Sequence, residues 1–251
     1  MSVEAELKLA LPHEHLALAR ETLDALAGTA GRPIRLANLY YDTPELDLQR
    51  SRSALRLRLS GTRWLQTFKS GGGASAGLHR RHEWEMQVTG EALEADALLA
   101  AIERDLGSKP DSKPAVTSDS TSGSSGDSTS GTPGSEEHTA LQSALQTLRT
   151  VFPRIAPLFR TDFTRTLWNL EEGDNRIEAA LDEGEVSLGE GAQRQTTPIV
   201  EIELELKRGD EAALHRVAKI LSERIPGLKG DDVSKAERGY RLHARLRDAA
   251  R

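Results

Sequence analysis

The feature that most constrains this chain is charge placed at every second position of stretches that are otherwise apolar. Glu4-Ala5-Glu6-Leu7-Lys8 near the start and Glu201-Ile202-Glu203-Leu204-Glu205-Leu206-Lys207 near the other end both show it. Residues i, i+2 and i+4 of a strand share a face. Glu201, Glu203, Glu205 and Lys207 therefore stand together, opposite Val200, Ile202, Leu204 and Leu206. Glu4, Glu6 and Lys8 oppose Val3, Leu7 and Leu9 in the same way. Arg56 and Arg58 alternate with Leu55, Leu57 and Leu59. Arg81, Glu83 and Glu85 alternate with His82, Trp84 and Met86, and Glu178 and Asp182 with Ile177, Ala179 and Leu181. Lys69 closes the run Trp64-Leu65-Gln66-Thr67-Phe68-Lys69. An ordinary water-facing side mixes Thr, Ser, Gln and Lys. Glutamates at successive positions of one face repel unless a cation lies between them.

The period-two segments predict eight strands, at 3–11, 34–41, 54–60, 63–70, 79–89, 160–170, 175–188 and 198–208. Gly61-Thr62 reads as a two-residue turn and the Gly-rich 70–77 as a hairpin connection. Apolar residues at helical spacing predict amphipathic helices over 12–27, 90–106, 136–151 and 210–225. These helices need an apolar surface to cover, and the apolar strand faces supply one. The expected fold is α+β: a mostly antiparallel eight-stranded barrel with helices packed outside and a charged lumen.

Strand parity puts nine acids in that lumen: Glu4, Glu6, Glu83, Glu85, Glu178, Asp182, Glu201, Glu203 and Glu205. The proposed lumen also counts nine bases: Lys8, Arg56, Arg58, Lys69, Arg81, Arg160, Arg165, Lys207 and Lys235, the last of which lies outside the predicted strands. Arg160 and Arg165 have opposite parity, so one of them points outward, and Arg165 is the favoured inward residue. Burying so much charge for structure alone is expensive. An eight-stranded barrel has room for its side chains and one small ligand. A polyanion with hard divalent cations satisfies both signs, since carboxylates suit Mg²⁺ or Mn²⁺ and guanidinium and ammonium groups suit phosphate oxygens.

Composition narrows the partners. The 33 Lys and Arg against 39 Asp and Glu leave 33 − 39 = −6, so there is no basic exterior for nucleic acid or anionic membrane. The absence of cysteine removes disulfides, thiolate zinc sites and cysteine nucleophiles. No apolar run approaches membrane-spanning length, and the acidic N-terminus does not read as a signal peptide. The expectation is a soluble, cytoplasmic protein. Between 108 and 135, 24 of 28 residues are Ser, Gly, Thr, Pro or Asp, a composition too poor in apolar surface to offset its ordering entropy. That segment is expected to be a disordered insertion within a single domain spanning 1–251.

The motifs together resemble the CYTH superfamily, the triphosphate tunnel metalloenzymes. Glu4-Ala5-Glu6-Leu7-Lys8 matches its ExExK signature. Tyr40-Tyr41-Asp42-Thr43, Ala54-Leu55-Arg56-Leu57-Arg58, Thr67-Phe68-Lys69 and Arg81-His82-Glu83-Trp84-Glu85 follow in the family's order. So do Phe159-Arg160-Thr161-Asp162-Phe163-Thr164-Arg165, the 201–207 ladder and Ser234-Lys235-Ala236-Glu237-Arg238-Gly239-Tyr240. The resemblance implies a triphosphate-binding tunnel and metal-dependent hydrolysis. It implies Glu4, Glu6, Glu201, Glu203 and Glu205 as ligands of Mg²⁺ or Mn²⁺, two ions being expected. Lys8, Arg56, Arg58, Lys69, Arg81, Arg165 and Lys235 are implied as phosphate ligands. Glu4, Glu6, Lys8 and Glu203 are the implied catalytic set, supported by Glu83, Glu85, Glu178, Asp182 and Lys207. Family chains of this type often continue into a helical, His-rich, polyphosphate-binding CHAD domain, whereas this sequence stops at Arg251. The leading expectation is hydrolysis of tripolyphosphate to pyrophosphate and phosphate. The alternatives are a class IV adenylate cyclase and a non-catalytic polyphosphate- or nucleotide-binding module.

Overall fold

The computed structural model describes residues 2–107 and 133–249. Eight strands, each antiparallel to its neighbours, close on themselves in the order β5-β4-β3-β2-β6-β7-β8-β1, with β1 returning to β5. They are β1 (Ser2–Ala10), β2 (Arg32–Asp42), β3 (Ala54–Ser60), β4 (Arg63–Ser75), β5 (Leu78–Val88), β6 (Ala156–Glu172), β7 (Asn175–Leu188) and β8 (Gln195–Arg208). A two-residue strand, β9 (Lys229–Gly230), adds to the end of β1. The helices are α1 (Leu16–Ala27), α2 (Asp47–Arg50), α3 (Ala95–Gly107), α4 (Pro133–Val151), α5 (Ala212–Arg224) and α6 (Lys235–Ala249). No helix among the described residues is long and apolar enough to cross a membrane.

Apolar strand faces point outward and are covered, as the alternation requires. Leu7, Leu9, Trp168, Ile177, Leu181, Ile202 and Leu204 pack against Leu23 of α1 and Leu214, Val217 and Leu221 of α5. Leu55, Phe68 and Trp84 pack against α3 and α4 through Leu98, Ile102, Leu141, Leu145 and Leu148. Each fully buried Leu or Ile in these layers contributes roughly 1.5–3 kcal/mol of apolar burial. A third cluster, of Leu36, Phe159, Phe163, Val186, Ile199 and Tyr240, joins β2, β6, β7 and β8 to α6, and the remaining centre of the barrel is polar.

Several elements depart from the sequence expectation. The Gly-rich 70–77 is strand as far as Ser75, with a bulge between Ser70 and Gly73, and the turn itself is Ala76-Gly77. Gly77 has φ +88°, and a Cβ there would sit 2.4 Å from the Lys8 carbonyl, so only glycine lets this turn lie against β1. Of the expected 108–135 insertion, 108–132 lies outside the described residues, and 133–135 form the first turn of α4. Arg160 points outward, exposed and bonded to Asp162, while Arg165 points inward as favoured. Two helices, α2 and α6, were not read from periodicity. Asp42 explains α2: its buried carboxylate accepts from the backbone N–H groups of Thr43, Leu48 and Gln49, and from the Tyr240 hydroxyl of α6.

Candidate active site

The lumen is a polar cavity of about 250 Å³ inside the barrel. Glu4, Glu6 and Lys8 enter it from β1, Arg56 and Arg58 from β3, and Thr67 and Lys69 from β4. Arg81, Glu83 and Glu85 enter from β5, Arg165 from β6, and Glu178 from β7. Glu203, Glu205 and Lys207 come from β8 and Lys235 from the first turn of α6. Of the expected lumen residues, all but Asp182, Glu201 and Arg160 line this cavity. Asp182 and Glu201 are fully buried behind this lining, and both reach Lys235.

Cross-strand register sorts the carboxylates into two groups that the sequence alone does not distinguish. In the first, Lys8 pairs across the sheet with Glu203, next to the Ala10–Glu201–Asp182 row. Lys8 Nζ is 2.7 Å from Glu201, and it also bonds Glu203. Lys235 Nζ is 2.7 Å from Glu203 and 2.6 Å from Asp182, and also bonds Glu201. Arg165 bonds Asp182 through both Nε (2.8 Å) and Nη2 (2.6 Å), and also reaches Glu203. Arg238 of α6 holds the other Glu201 oxygen at 2.8 Å and Asp231 at 2.7 Å. Burial opposes charge on Lys8, Lys235, Arg165, Asp182 and Glu203, yet the ion pairs prevail. Glu201, Glu203 and Glu6 hold the Lys8 pKa well above the ordinary lysine value. Lys235, Lys8 and Arg165 hold Glu203 well below the carboxylate range.

The second group has too few cations. Glu6, Glu205 and Glu178 are direct cross-strand neighbours, three acids in a row on β1, β8 and β7. Lys207, half exposed, is 2.7 Å from Glu205 and 3.4 Å from Glu178. Burial, with Glu4 and Glu178 adding to it, raises the Glu205 pKa although Lys207 pulls the other way. Like charges directly opposed on neighbouring strands destabilise a sheet. This row therefore stands ready for a cation.

The opposite wall has the reverse imbalance. Burial, then the neighbouring Arg56 and Arg165 guanidiniums, push Arg58 down to about 10. Arg56 leaves its buried Nε without a partner, as does Arg81. Arg56 is only within 3.7 Å of Glu85 and 3.9 Å of Glu83. Among the described residues Arg81 forms no ion pair, although it faces Glu4 across the β1–β5 ladder. Lys69 is bonded to Glu4, with Glu83 3.5 Å away. An excess of guanidinium that the protein does not neutralise is a site for an anion.

Sequence reasoning missed two residues here. Tyr40 lines the cavity, stacked on Phe159 at 4.8 Å, and Arg56, Arg58 and Lys235 lower its pKa against the effect of burial. Its parity with Asn38, which bonds Arg58, was the available signal. Arg238 stands three residues after Lys235, on the same helix face, and that spacing was likewise visible. Gly239 lets this helix seat, because a Cβ there would lie 2.2 Å from the Phe159 ring.

A closed antiparallel barrel with walls of carboxylates and of guanidinium and ammonium groups defines a charged tunnel whose chemistry suits an anion together with cations. The CYTH domain model matches residues 2–240, and the chain belongs to that family. It is 28% identical over 243 residues to the inorganic triphosphatase of Haemophilus influenzae, which covers 96% of this chain. The chain spans 55% of that relative's length. Its fold is similar to that of a Hippeastrum adenylyl cyclase-type protein reported to have a dominant triphosphatase activity. That comparison has a TM-score of 0.57 and 21% identity, covering 98% of this chain and 96% of the other.

Proposed function

We propose that this chain is a metal-dependent triphosphatase that cleaves inorganic tripolyphosphate to pyrophosphate and phosphate. The observation that carries the reading is the split lumen: guanidiniums in excess of their acidic partners on the β3–β5 wall face an under-compensated row of carboxylates on β1, β8 and β7. The similarity to a triphosphatase over nearly the whole chain supports it. Tyr40 is the only aromatic side chain among the described residues lining the cavity, which leaves little for a purine to stack on.

Phosphoryl transfer asks chiefly for positioning and charge neutralisation. Arg56, Arg58 and Arg81 donate to phosphate oxygens from one wall. Lys69, Lys8, Lys235 and Arg165 reach them once their carboxylate partners are shared with the incoming ligand. Glu4, Glu6 and Glu205, with Glu178 adjacent, suit Mg²⁺ or Mn²⁺, because these hard ions take oxygen ligands and this row already holds more negative charge than it can pair. When bound, such an ion neutralises phosphate charge and lowers the pKa of a water molecule. Asp182, Glu201 and Glu203 bring their oxygens within 4.8 Å of one another. That closeness reflects the ammonium groups seated among them, and an ion there has to expel Lys8 or Lys235. The role assigned to Glu201 and Glu203 is therefore to orient those lysines, and metal binding begins at Glu4, Glu6 and Glu205.

The test is phosphate release from tripolyphosphate, ATP and thiamine triphosphate with Mg²⁺ or Mn²⁺. Tripolyphosphate is expected to be cut fastest. Faster release from either organic substrate sinks the inorganic assignment. Cyclic AMP from ATP points to the cyclase chemistry, and binding without release to a module that only holds its ligand.

A further inference from the structure

A second chamber, of about 360 Å³, abuts the tunnel and shares Ala54, Lys69, Arg81, Ser234 and Ala236 with it as a common wall. It lies between the bulged end of β4, the start of β5, the bend after α2 and the first turns of α6. Its charge is unbalanced. Arg52, Lys69, Arg81 and Arg241 line it, against Asp232 and Glu237. Both acids are engaged: Glu237 accepts from Arg241 at 2.9 Å, and Asp232 from the Gly77 N–H at 2.7 Å. Neither Arg52 nor Arg81 has an ion-pair partner among the described residues, and the Arg81 Nε is buried without a hydrogen bond. Arg52 is held at φ +53°, a conformation that non-glycine residues rarely adopt. The positive end of the fifteen-residue α6 opens on the same space.

We propose that this chamber is a fourth phosphate subsite, and that it lets the tunnel hold a linear polyphosphate one unit longer than tripolyphosphate. The inference rests on the triphosphate reading above. Arg81 carries it, because this one guanidinium lines both spaces, has no ion-pair partner among the described residues and leaves its buried Nε without a hydrogen bond. A chain anchored in the tunnel by Arg56, Lys69 and Arg165 extends past Arg81, and its next phosphate meets Arg52 and Arg241. Guanidinium forks match tetrahedral phosphate oxygens with paired donors. Among the described residues Arg241 is paired with Glu237, and Arg52 has no acidic partner.

The test is calorimetric binding of linear tripolyphosphate and linear tetrapolyphosphate to the metal-free chain in EDTA. It is run on the wild type and on a double variant, Arg52→Ala with Arg241→Ala. Both arginines lie at the exposed rim, and a melting curve checks that the variant is folded. The wild type is expected to bind the longer chain roughly tenfold more tightly, the gain of one further charge-assisted contact. In the variant the ratio of the two affinities falls towards one. Because the longer chain has additional binding registers in either protein, the comparison between proteins decides the question. Equal affinities in the wild type, or a preference that survives in the variant, overturn the subsite while leaving the triphosphate reading intact. Failure of the wild type to bind tripolyphosphate both in EDTA and with Mg²⁺ added refutes that reading first and this one with it.

Discussion

Lys235→Met tests whether the first carboxylate group is held together by its own cations. The ammonium of Lys235 touches Asp182, Glu201 and Glu203 at once, and methionine keeps most of the side-chain volume. In the intact cluster four carboxylates, Asp182, Glu201, Glu203 and Asp231, meet four cations, Lys8, Arg165, Lys235 and Arg238. The balance is 4 − 4 = 0, and the variant leaves 3 − 4 = −1 where Asp182 and Glu201 are fully buried. Removing one partner of a buried ionic group costs about 3–5 kcal/mol. For a folded chain of this size that is a drop of roughly 10 °C in Tm. The pH dependence gives the sign. In the wild type, Glu203 and Asp182 are held below their ordinary values. Their stabilisation is therefore complete above the unfolded carboxylate pKa and is lost only as pH falls through the depressed folded values. Without Lys235 those values rise, and one carboxyl takes up a proton in the folded variant before it does so in the unfolded chain. The stability difference between the proteins therefore narrows as pH is lowered from 7 towards 5. Urea unfolding at several pH values measures it. A cost below about 1 kcal/mol at pH 7, or a difference that stays constant or widens on acidification, refutes the reasoning.

Three further substitutions probe other parts of the structure. Glu205→Gln removes one charge from the Glu6–Glu205–Glu178 row, so the metal-free protein gains roughly 0.5 kcal/mol while its stabilisation by added Mn²⁺ shrinks; melting with and without the ion reads both effects. Gly239→Val drives a side chain into the Phe159 ring and lifts α6, costing about 1–3 kcal/mol and weakening tripolyphosphate binding through the displaced Lys235; unchanged stability and binding would show that α6 seats differently. Asp42→Asn weakens the cap of α2 and the Tyr240 contact, with an expected loss of about 1–2 kcal/mol in denaturant unfolding, and a neutral result removes Asp42 from that role.

The barrel was legible in the sequence because a half-apolar strand records its two faces in its parity. Glu201, Glu203 and Glu205 share a side whatever lies next to them, and helices that need an apolar partner show which side is outward. Parity does not record register. Nothing within Glu201–Lys207 reveals that Glu203 stands beside Lys8 while Glu205 stands between Glu6 and Glu178, since that depends on how three strands far apart in sequence are aligned. The distinction between paired and under-compensated carboxylates was hidden for the same reason. Gly71 and Gly73 read as a loop because glycine is poor in strands, but here they accompany a bulge. In α6, charged residues at 235, 237, 238 and 241 mask the apolar periodicity, because its inner face packs partly on a charged lumen. Lys235 and Arg238 are the residues through which it docks.

The two carboxylate groups lead to a coupling between ligands. In the unliganded protein, Lys8, Lys235 and Arg165 are satisfied by Asp182, Glu201 and Glu203, so an anion entering alone must share donors that already have partners. On the proposed assignment, a cation entering alone at Glu4, Glu6 and Glu205 is expected to draw Glu6 away from Lys8, 3.6 Å distant, and Glu4 away from Lys69. Each ligand thus releases donors or acceptors that the other uses. The coupling must be reciprocal and of the usual size, about 1–3 kcal/mol. Sulfate, a tetrahedral dianion that binds Mg²⁺ only weakly, separates this effect from chelation of the metal by polyphosphate. The increase in Tm produced by Mg²⁺ and sulfate together is expected to exceed the sum of their separate increases. If it only equals that sum, the two walls act independently, and the internal ion pairs do not link the metal site to the phosphate site.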